Sequence, residues 1–238
     1  MKTILEISED GSHTLFVPAL NEHYHSTRGA IQESLHVYIE TGLHQCDKRE
    51  INLLEIGFGT GLNALLTLLD AGHDVEHNVG PGVGNSVKKI HYTAIERYPI
   101  ELGDAERLNY SELLVPARKD LFSRLHISPW EEWVEITPNF RLKKVHMDVS
   151  RLDEFQPEEL FDVIYYDAFA PDKQPVMWTR DIFNRLFALS NDGAVLTTYC
   201  AKGAVRRMLQ AAGNRVERLP GPPGKREILR AVKRNGEE

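Results

Sequence analysis

Cysteine is scarce: Cys46 and Cys200 are the only two, far apart and outside any Cys-x-x-Cys pair, which excludes a disulfide framework and a zinc ribbon. Long apolar runs are missing too. The N-terminus reaches Glu6, Glu9 and Asp10 before an apolar signal core can form, and the leucine-rich run after Gly61 is broken by Asp70. Neither secretion nor a membrane span is expected, and free thiols in a reducing cytoplasm are the expected state. No Gly-Lys-Ser/Thr closes a glycine loop, so the chain has no P-loop. His23 and His25 lack a third ligand in pattern. His73-Asp-Val-Glu-His77 mimics a zinc-protease helix, but Asp74 holds the catalytic position and the surrounding residues do not favour a helix. No metal is expected.

What is present is organised around Ile51 to Leu69. Its first half is a short apolar run fit for a buried parallel strand, and its second half sets Leu62, Leu65, Leu66 and Leu69 at helical spacing. Between them, Gly57, Gly59 and Gly61 allow a sharp turn and direct helix N-terminal N–H groups at whatever lies above. Leu62 stands where the dinucleotide fingerprint needs a small residue. Gly-x-Gly-x-Gly after a strand ending in Glu55 is instead the pattern of S-adenosylmethionine (SAM) methyltransferases; the plainer alternative is a strand-to-helix turn of another α/β protein. The candidate cofactor contacts here are Glu55, Gly57, Phe58, Gly59, Thr60, Gly61 and Asn63.

The remaining pattern alternates strands and helices. Residues 1–20 suggest a small β-hairpin around Asp10-Gly11, and Ile31, Leu35, Tyr38 and Ile39 an amphipathic helix. The polar segment between them, which includes Tyr24, reads as a lid or pocket edge. Residues 1–45 are thus an extension of one Rossmann-like domain, 46–238. A second strand, Ile90 to Ile95, ends at Glu96, placed to accept hydrogen bonds from ribose hydroxyls. Residues 100–135 look helical, broken at Pro116 and Pro129, with Trp130 and Trp133 as packing residues. A third strand leads into Asp148 and Val149, positioned to read an adenine edge or to form a surface turn. A fourth, Phe161 to Tyr166, ends at Asp167; Ala194 to Tyr199 is a fifth, and an antiparallel pair closes the chain. In an open α/β sheet the ligand crevice lies at the strands' carboxyl ends, so Gly57, Glu96 and Asp167 should share one opening.

Charge is unevenly spread. The net charge is −7, yet Lys202 to Arg234 holds ten Lys/Arg against two Glu, which leaves the rest of the chain at −15. A basic C-terminal face on an acidic body can meet phosphates locally, although a solvated surface explains the charge alone equally simply.

Several separated stretches agree with one family. Gly57-Phe-Gly-Thr-Gly-Leu-Asn63, Asp167-Ala-Phe-Ala-Pro-Asp-Lys-Gln-Pro175 with Met177-Trp-Thr179, Tyr199-Cys-Ala-Lys-Gly203 with Val205-Arg-Arg207, and Lys225-Arg-Glu227 resemble the MnmD methyltransferases, the stand-alone form of the amino-terminal domain of the bifunctional MnmC tRNA-modifying enzymes. The resemblance spans Asn21 to Val232. It implies a class I SAM-dependent methyltransferase: an α/β, Rossmann-like, seven-stranded and mostly parallel sheet with an N-terminal β-hairpin extension. It also implies methylation of the 5-aminomethyl group on the wobble uridine in a tRNA anticodon stem-loop, usually 2-thiolated. SAM is then the cofactor, without FAD, and other enzymes install the aminomethyl precursor. Asp167 becomes the expected catalytic residue; Tyr24 and Tyr199 become pocket walls, and Lys202, Arg206, Arg207, Lys225 and Arg226 phosphate contacts. The alternative is aminopropyl or methyl transfer to a small-molecule amine by an enzyme of the same fold.

Overall fold

A computed structural model describes residues 2–72 and 88–234; the His73–His77 motif lies outside the described residues. Two strands, Ile4–Ile7 (β1) and His13–Val17 (β2), pair antiparallel, and Glu22–His23 (β3) extends them to a three-stranded sheet. Asp10 fixes the connecting turn by accepting the Ser12 N–H at 3.0 Å and the Ser8 hydroxyl at 2.7 Å. Helix α1, Ala30–Ser34, runs straight into a π-helical turn, Leu35–Glu40, which buries Val37, Tyr38 and Ile39. This is the expected amphipathic helix, widened in its second half.

The main sheet follows. Its first half comprises Glu50–Ile56 (β4), helix Leu62–Ala71 (α2), Lys89–Glu96 (β5), three short helices at Leu102–Glu106 (α3), Tyr110–Leu114 (α4) and Asp120–Ile127 (α5), then Trp133–Thr137 (β6) and Phe140–His146 (β7). Its second half comprises Phe161–Tyr166 (β8), Arg180–Ala188 (α6), Ser190–Thr198 (β9), Gly203–Ala211 (α7), Asn214–Pro220 (β10) and Glu227–Lys233 (β11). The strand order is β10-β11-β9-β8-β4-β5-β7-β6, with β9, β8, β4, β5 and β7 parallel and the outer strands antiparallel.

The central strands are apolar on both faces because both are covered. Leu53, Val163 and Tyr165 pack with α2 and α5 residues on one side; Leu54, Ile164 and Tyr166 pack with Phe183 of α6 and Leu209 of α7 on the other. The period-two alternation of strand side chains divides one continuous sequence run between two cores.

The sheet has eight strands rather than the expected seven. The additional one is β6, within the stretch whose breaks and tryptophan spacing suggest helix. Its partner, β7, supplies the missing information: Trp133 pairs with Lys143, and the Arg141 guanidinium lies 4.3 Å from the Trp133 ring centre. Trp130 and Trp133 are half-buried under cationic side chains, not core residues. Sequence periodicity cannot see a strand whose stability comes from a partner.

On either side of β4 the chain departs in opposite directions, to β5 and to β8. Such a reversal opens a crevice above the strand ends, and it does so between Gly57 and Asp167.

Candidate active site

At that switch point the glycine loop leaves β4 with positive φ at Gly57 (92°), Gly59 (50°) and Gly61 (75°). Two of these positions also have no room for a side chain. A Cβ on Gly57 would stand 2.5 Å from the Asp167 carbonyl oxygen, and one on Gly61 would stand 2.9 Å from His126 Nε2. The loop is thereby pressed against the end of β8 on one flank and α5 on the other.

Two histidines hold it there. His25 Nε2 lies 2.6 Å from Thr60 Oγ1, and His126 Nε2 donates to the Thr60 carbonyl at 3.1 Å. Burial pushes both imidazoles down to about 4, so both are neutral at physiological pH. Beneath them Lys144, 1% exposed, donates to the His126 carbonyl at 2.7 Å, and burial lowers its ammonium to about 8. The sequence puts His25 in a segment expected to be a lid or pocket edge, not a metal site, and gives no sign of His126 or Lys144. No spacing rule links them, because the two histidines meet through Thr60 and Lys144 joins them through the His126 carbonyl. Among the described residues no cluster of three or more His, Cys, Asp or Glu could hold a metal.

The loop opens on a cavity of about 440 Å³, within the range of sites that enclose small molecules. Gly57, Phe58, Gly59, Thr60, Asn63, Glu96, Asp148, Val149, Asp167, Tyr24, Tyr199 and Lys225 all line it. The Glu96 carboxylate accepts the Gly59 N–H at 3.1 Å and the Tyr98 N–H at 2.7 Å, which fixes it at the end of β5. Asp148 accepts the Ser150 N–H at 2.9 Å and pairs with Arg97. It therefore braces the rim as well as facing the cavity.

Asp167 stands opposite. Asn63 Nδ2 donates to it at 2.8 Å and to Glu55 at 3.0 Å, while the buried Tyr38 hydroxyl faces it without completing a hydrogen bond. Burial pushes the Asp167 carboxyl up to about 6, against the opposing effect of Tyr38 and Asn63. Ionised just below neutrality, it can accept a proton from an amine.

Two expected cofactor contacts, Glu55 and Gly61, are placed outside the cavity by the structure, and most of the expected phosphate contacts lie outside it too. Glu55 is fully buried and lies behind Asn63, outside the cavity; burial and then the Asp167 charge hold its carboxyl well above the usual range, and by accepting from Asn63 it orients that side chain. Gly61 shapes the loop without lining the cavity. Lys202, Arg206, Arg207 and Arg226 lie outside it as well: Lys202 pairs with Asp172, Arg206 is half-buried on α7, and Arg207 and Arg226 are exposed. Helical spacing on α7 turns Val205 and Leu209 inward and carries the arginines outward.

The site fits SAM by its own features. The positive-φ glycine backbone lets the loop close against Asp167 and line the cavity, Glu96 offers a fixed carboxylate, and the buried Asn63 Oδ1 lacks a partner at the cavity wall. Residues 117–234 match the family described as S-adenosyl-L-methionine-dependent methyltransferase. The match covers just under half of the chain and marks a SAM-dependent methyltransferase domain. Its fold is that of class I methyltransferases and is similar to the MNMC2 structure from Aquifex aeolicus, with TM-score 0.76 and 23% identity over 99% of this chain and 73% of that one. The spermidine synthase of Thermotoga maritima shares the fold more distantly, with TM-score 0.55 and 12% identity over 99% of this chain and 74% of that one.

Sequence relatives include the tRNA 5-methylaminomethyl-2-thiouridine biosynthesis bifunctional proteins MnmC of Burkholderia thailandensis, 29% identical over 94% of this chain and 34% of theirs, and Cupriavidus metallidurans, 29% identical over 93% and 32%. This methyltransferase spans about a third of the length of those curated relatives. Among its described residues no helix is long and apolar enough to cross a membrane.

Proposed function

We propose that this methyltransferase converts the 5-aminomethyl group of a tRNA wobble uridine, typically 2-thiolated, into 5-methylaminomethyl. The observation that carries the reading is the Asp167 carboxylate at the crevice, bonded to Asn63 and held near pH 6 by burial, beside a glycine loop shaped for SAM. The relatives named for 5-methylaminomethyl-2-thiouridine biosynthesis supply the acceptor.

Bound in this site, SAM supplies a methyl group on a sulfonium: as the amine nitrogen donates its lone pair to form the N–C bond, the C–S bond breaks and its electrons remain on sulfur. Glu96, anchored by the Gly59 and Tyr98 N–H groups, is the residue that would hold the ribose. Phe58 and Val149 wall the adenine side, with Asp148 at its edge. Asp167 accepts an N–H bond from the acceptor amine, aims the lone pair and takes the proton released from nitrogen. Tyr24, packed edge-on against Phe169 with ring centres 5.0 Å apart, and Tyr199, whose hydroxyl donates to the Ala168 carbonyl at 2.8 Å, give the acceptor half two rigid aromatic walls. An extruded base can lie against such walls. Arg206, Arg207, Lys202 and Arg226 would then meet the anticodon-stem phosphates from outside the cavity, and enzymes that install the aminomethyl group act earlier.

Mass spectrometry of wobble nucleosides tests this directly. Purified protein, labelled SAM and tRNA bearing unmethylated 5-aminomethyl-2-thiouridine should yield labelled 5-methylaminomethyl-2-thiouridine. Label on a diamine or other small amine instead would assign the small-molecule alternative.

A further inference from the structure

Lys225, expected among the phosphate contacts of the basic segment, lines the cavity. The turn between β10 and β11 is tied by two backbone bonds, Lys225 N–H to the Pro222 carbonyl at 2.9 Å and Gly221 N–H to the Arg226 carbonyl at 3.1 Å, and it delivers Lys225 into the cavity wall. There Nζ lies 3.9 Å from the centre of the Tyr199 ring and forms an ion pair with Glu33 of α1. The other Glu33 oxygen accepts the Ser26 N–H at 3.0 Å, so the carboxylate, only 9% exposed, is held from both ends.

We propose that the Lys225–Glu33 pair, seated on Tyr199, is a positioning unit that governs charge in the acceptor half of the cavity, with Lys225 disfavouring a second cation there and Glu33 tempering the Lys225 charge. The proposal rests on the aminomethyl acceptor assigned above. An amine must shed its proton before its lone pair can form a bond. A cavity carrying Asp167, Glu33 and Glu22 without a cation would bind the ammonium form and hold it unreactive. The Lys225 charge offsets this: it disfavours a second cation beside it and favours the Asp167 carboxylate.

The two members of the pair act on Asp167 with opposite sign, Glu33 resisting its ionisation and Lys225 promoting it. Other groups facing Asp167 are Asn63 of α2, Glu55 of β4 behind it, Tyr38 of the π-helical turn, Tyr92 of β5 and Tyr199 after β9. Those near Lys225 are Glu33, Tyr199, His25 and Cys200. The tyrosines stay protonated, because burial raises all of them, and His25 stays neutral. Glu33 and Lys225 are therefore the charges that mutation can separate.

The test is a pair of opposed displacements in the whole protein. The Asp167 carboxyl carbon, assigned by its loss in D167N, is titrated by NMR in wild type, K225M, E33Q, K225R and K225M/E33Q. The same proteins give kcat/KM against pH with tRNA carrying 5-aminomethyl-2-thiouridine. K225M should move both the carboxyl midpoint and the acid limb upward by about one pH unit, and E33Q downward by a similar amount. K225R should match wild type and the double variant should lie between the singles. Displacements in the same direction, or none in variants with native circular dichroism, overturn the proposal; should K225M not fold, an E33Q midpoint that fails to fall does so alone. Opposed displacements in an enzyme that leaves this tRNA unmethylated uphold the charge pair and overturn the acceptor assignment instead.

Discussion

Asn63 donates one side-chain amide to two carboxyl groups, Asp167 at 2.8 Å and Glu55 at 3.0 Å, and thereby ties a cavity-lining carboxyl and a fully buried one to a single hinge. The consequence is a pH-dependent active site with a measurable stability cost.

Asp167 is held at about 6 by burial, above its unfolded value of 3.8. The folded state thus binds more protons than the unfolded one between about pH 4 and 6, and stability falls as pH rises through that window. D167N removes the buried charge. It should abolish most methyl transfer while leaving SAM binding intact, and should stabilise the protein at pH 7.5 by about 1–3 kcal/mol in urea unfolding. A destabilised D167N with near-normal turnover would remove the carboxylate from the mechanism.

Asn63→Leu leaves Glu55 and Asp167 without their donor. Asp167 should then titrate higher still, the acid limb of the rate profile should rise, and stability should drop by about 1–3 kcal/mol from unsatisfied buried groups. An unchanged acid limb would show that Asn63 does not set the Asp167 charge.

The His25–Thr60–His126 clamp predicts acid lability of the opposite sign to that of Asp167. Both imidazoles are held at about 4 by burial, below the unfolded 6.5, so their contribution is complete above pH 6.5 and is lost as pH falls towards 4. Because Asp167 acts in part of the same window, the comparison is wild type against H25N and H126N. The difference in unfolding free energy between pH 7 and 5 should be larger in wild type by about 1 kcal/mol or more per histidine. Equal pH slopes would mean that the rings are not buried neutral.

Gly57→Ala and Gly11→Ala separate room from backbone strain. Both positions have positive φ, 92° and 82°, but a Cβ on Gly57 meets backbone at 2.5 Å and one on Gly11 meets nothing within 4 Å. The Gly57 variant should lose SAM binding by calorimetry, about 100-fold or more, whereas the Gly11 variant should lose about 1 kcal/mol of stability and bind SAM normally.

Arg206 and Arg207 project from α7 outside the cavity, and replacing both with Ala should raise KM for tRNA without changing SAM affinity. The slope of log affinity against log salt should become shallower by about 0.7–0.9 for each phosphate that is no longer neutralised. Equal tRNA affinity across a salt series would exclude this face from the RNA interface.

The legible part of the site is its strand ends. Gly57, Glu96 and Asp167 each close an apolar run, and parallel β topology carries such ends to one side of the sheet. The segment of Tyr24 is legible as a pocket edge, whereas Tyr199 is legible only through the family resemblance. What the chain order hides is everything contributed by packing between distant segments: β6 through its pairing with β7, His126 through Thr60, and Glu33 through Lys225. Glu33 shows the limit clearly. On α1 it resembles any solvent-facing acid of an amphipathic helix, and only the β10–β11 turn, nearly two hundred residues later, makes it part of the cavity.

The central claim is that the methyl donor lies across the glycine bend with its sulfur beside Asp167. A crystal structure of the protein with S-adenosylhomocysteine tests it most directly. The account predicts ribose hydroxyls on Glu96 and the sulfur facing the Asp167 carboxylate across a gap that admits an amine nitrogen. A ligand seated elsewhere, or an Asp167 carboxylate turned away from the sulfur, would contradict it.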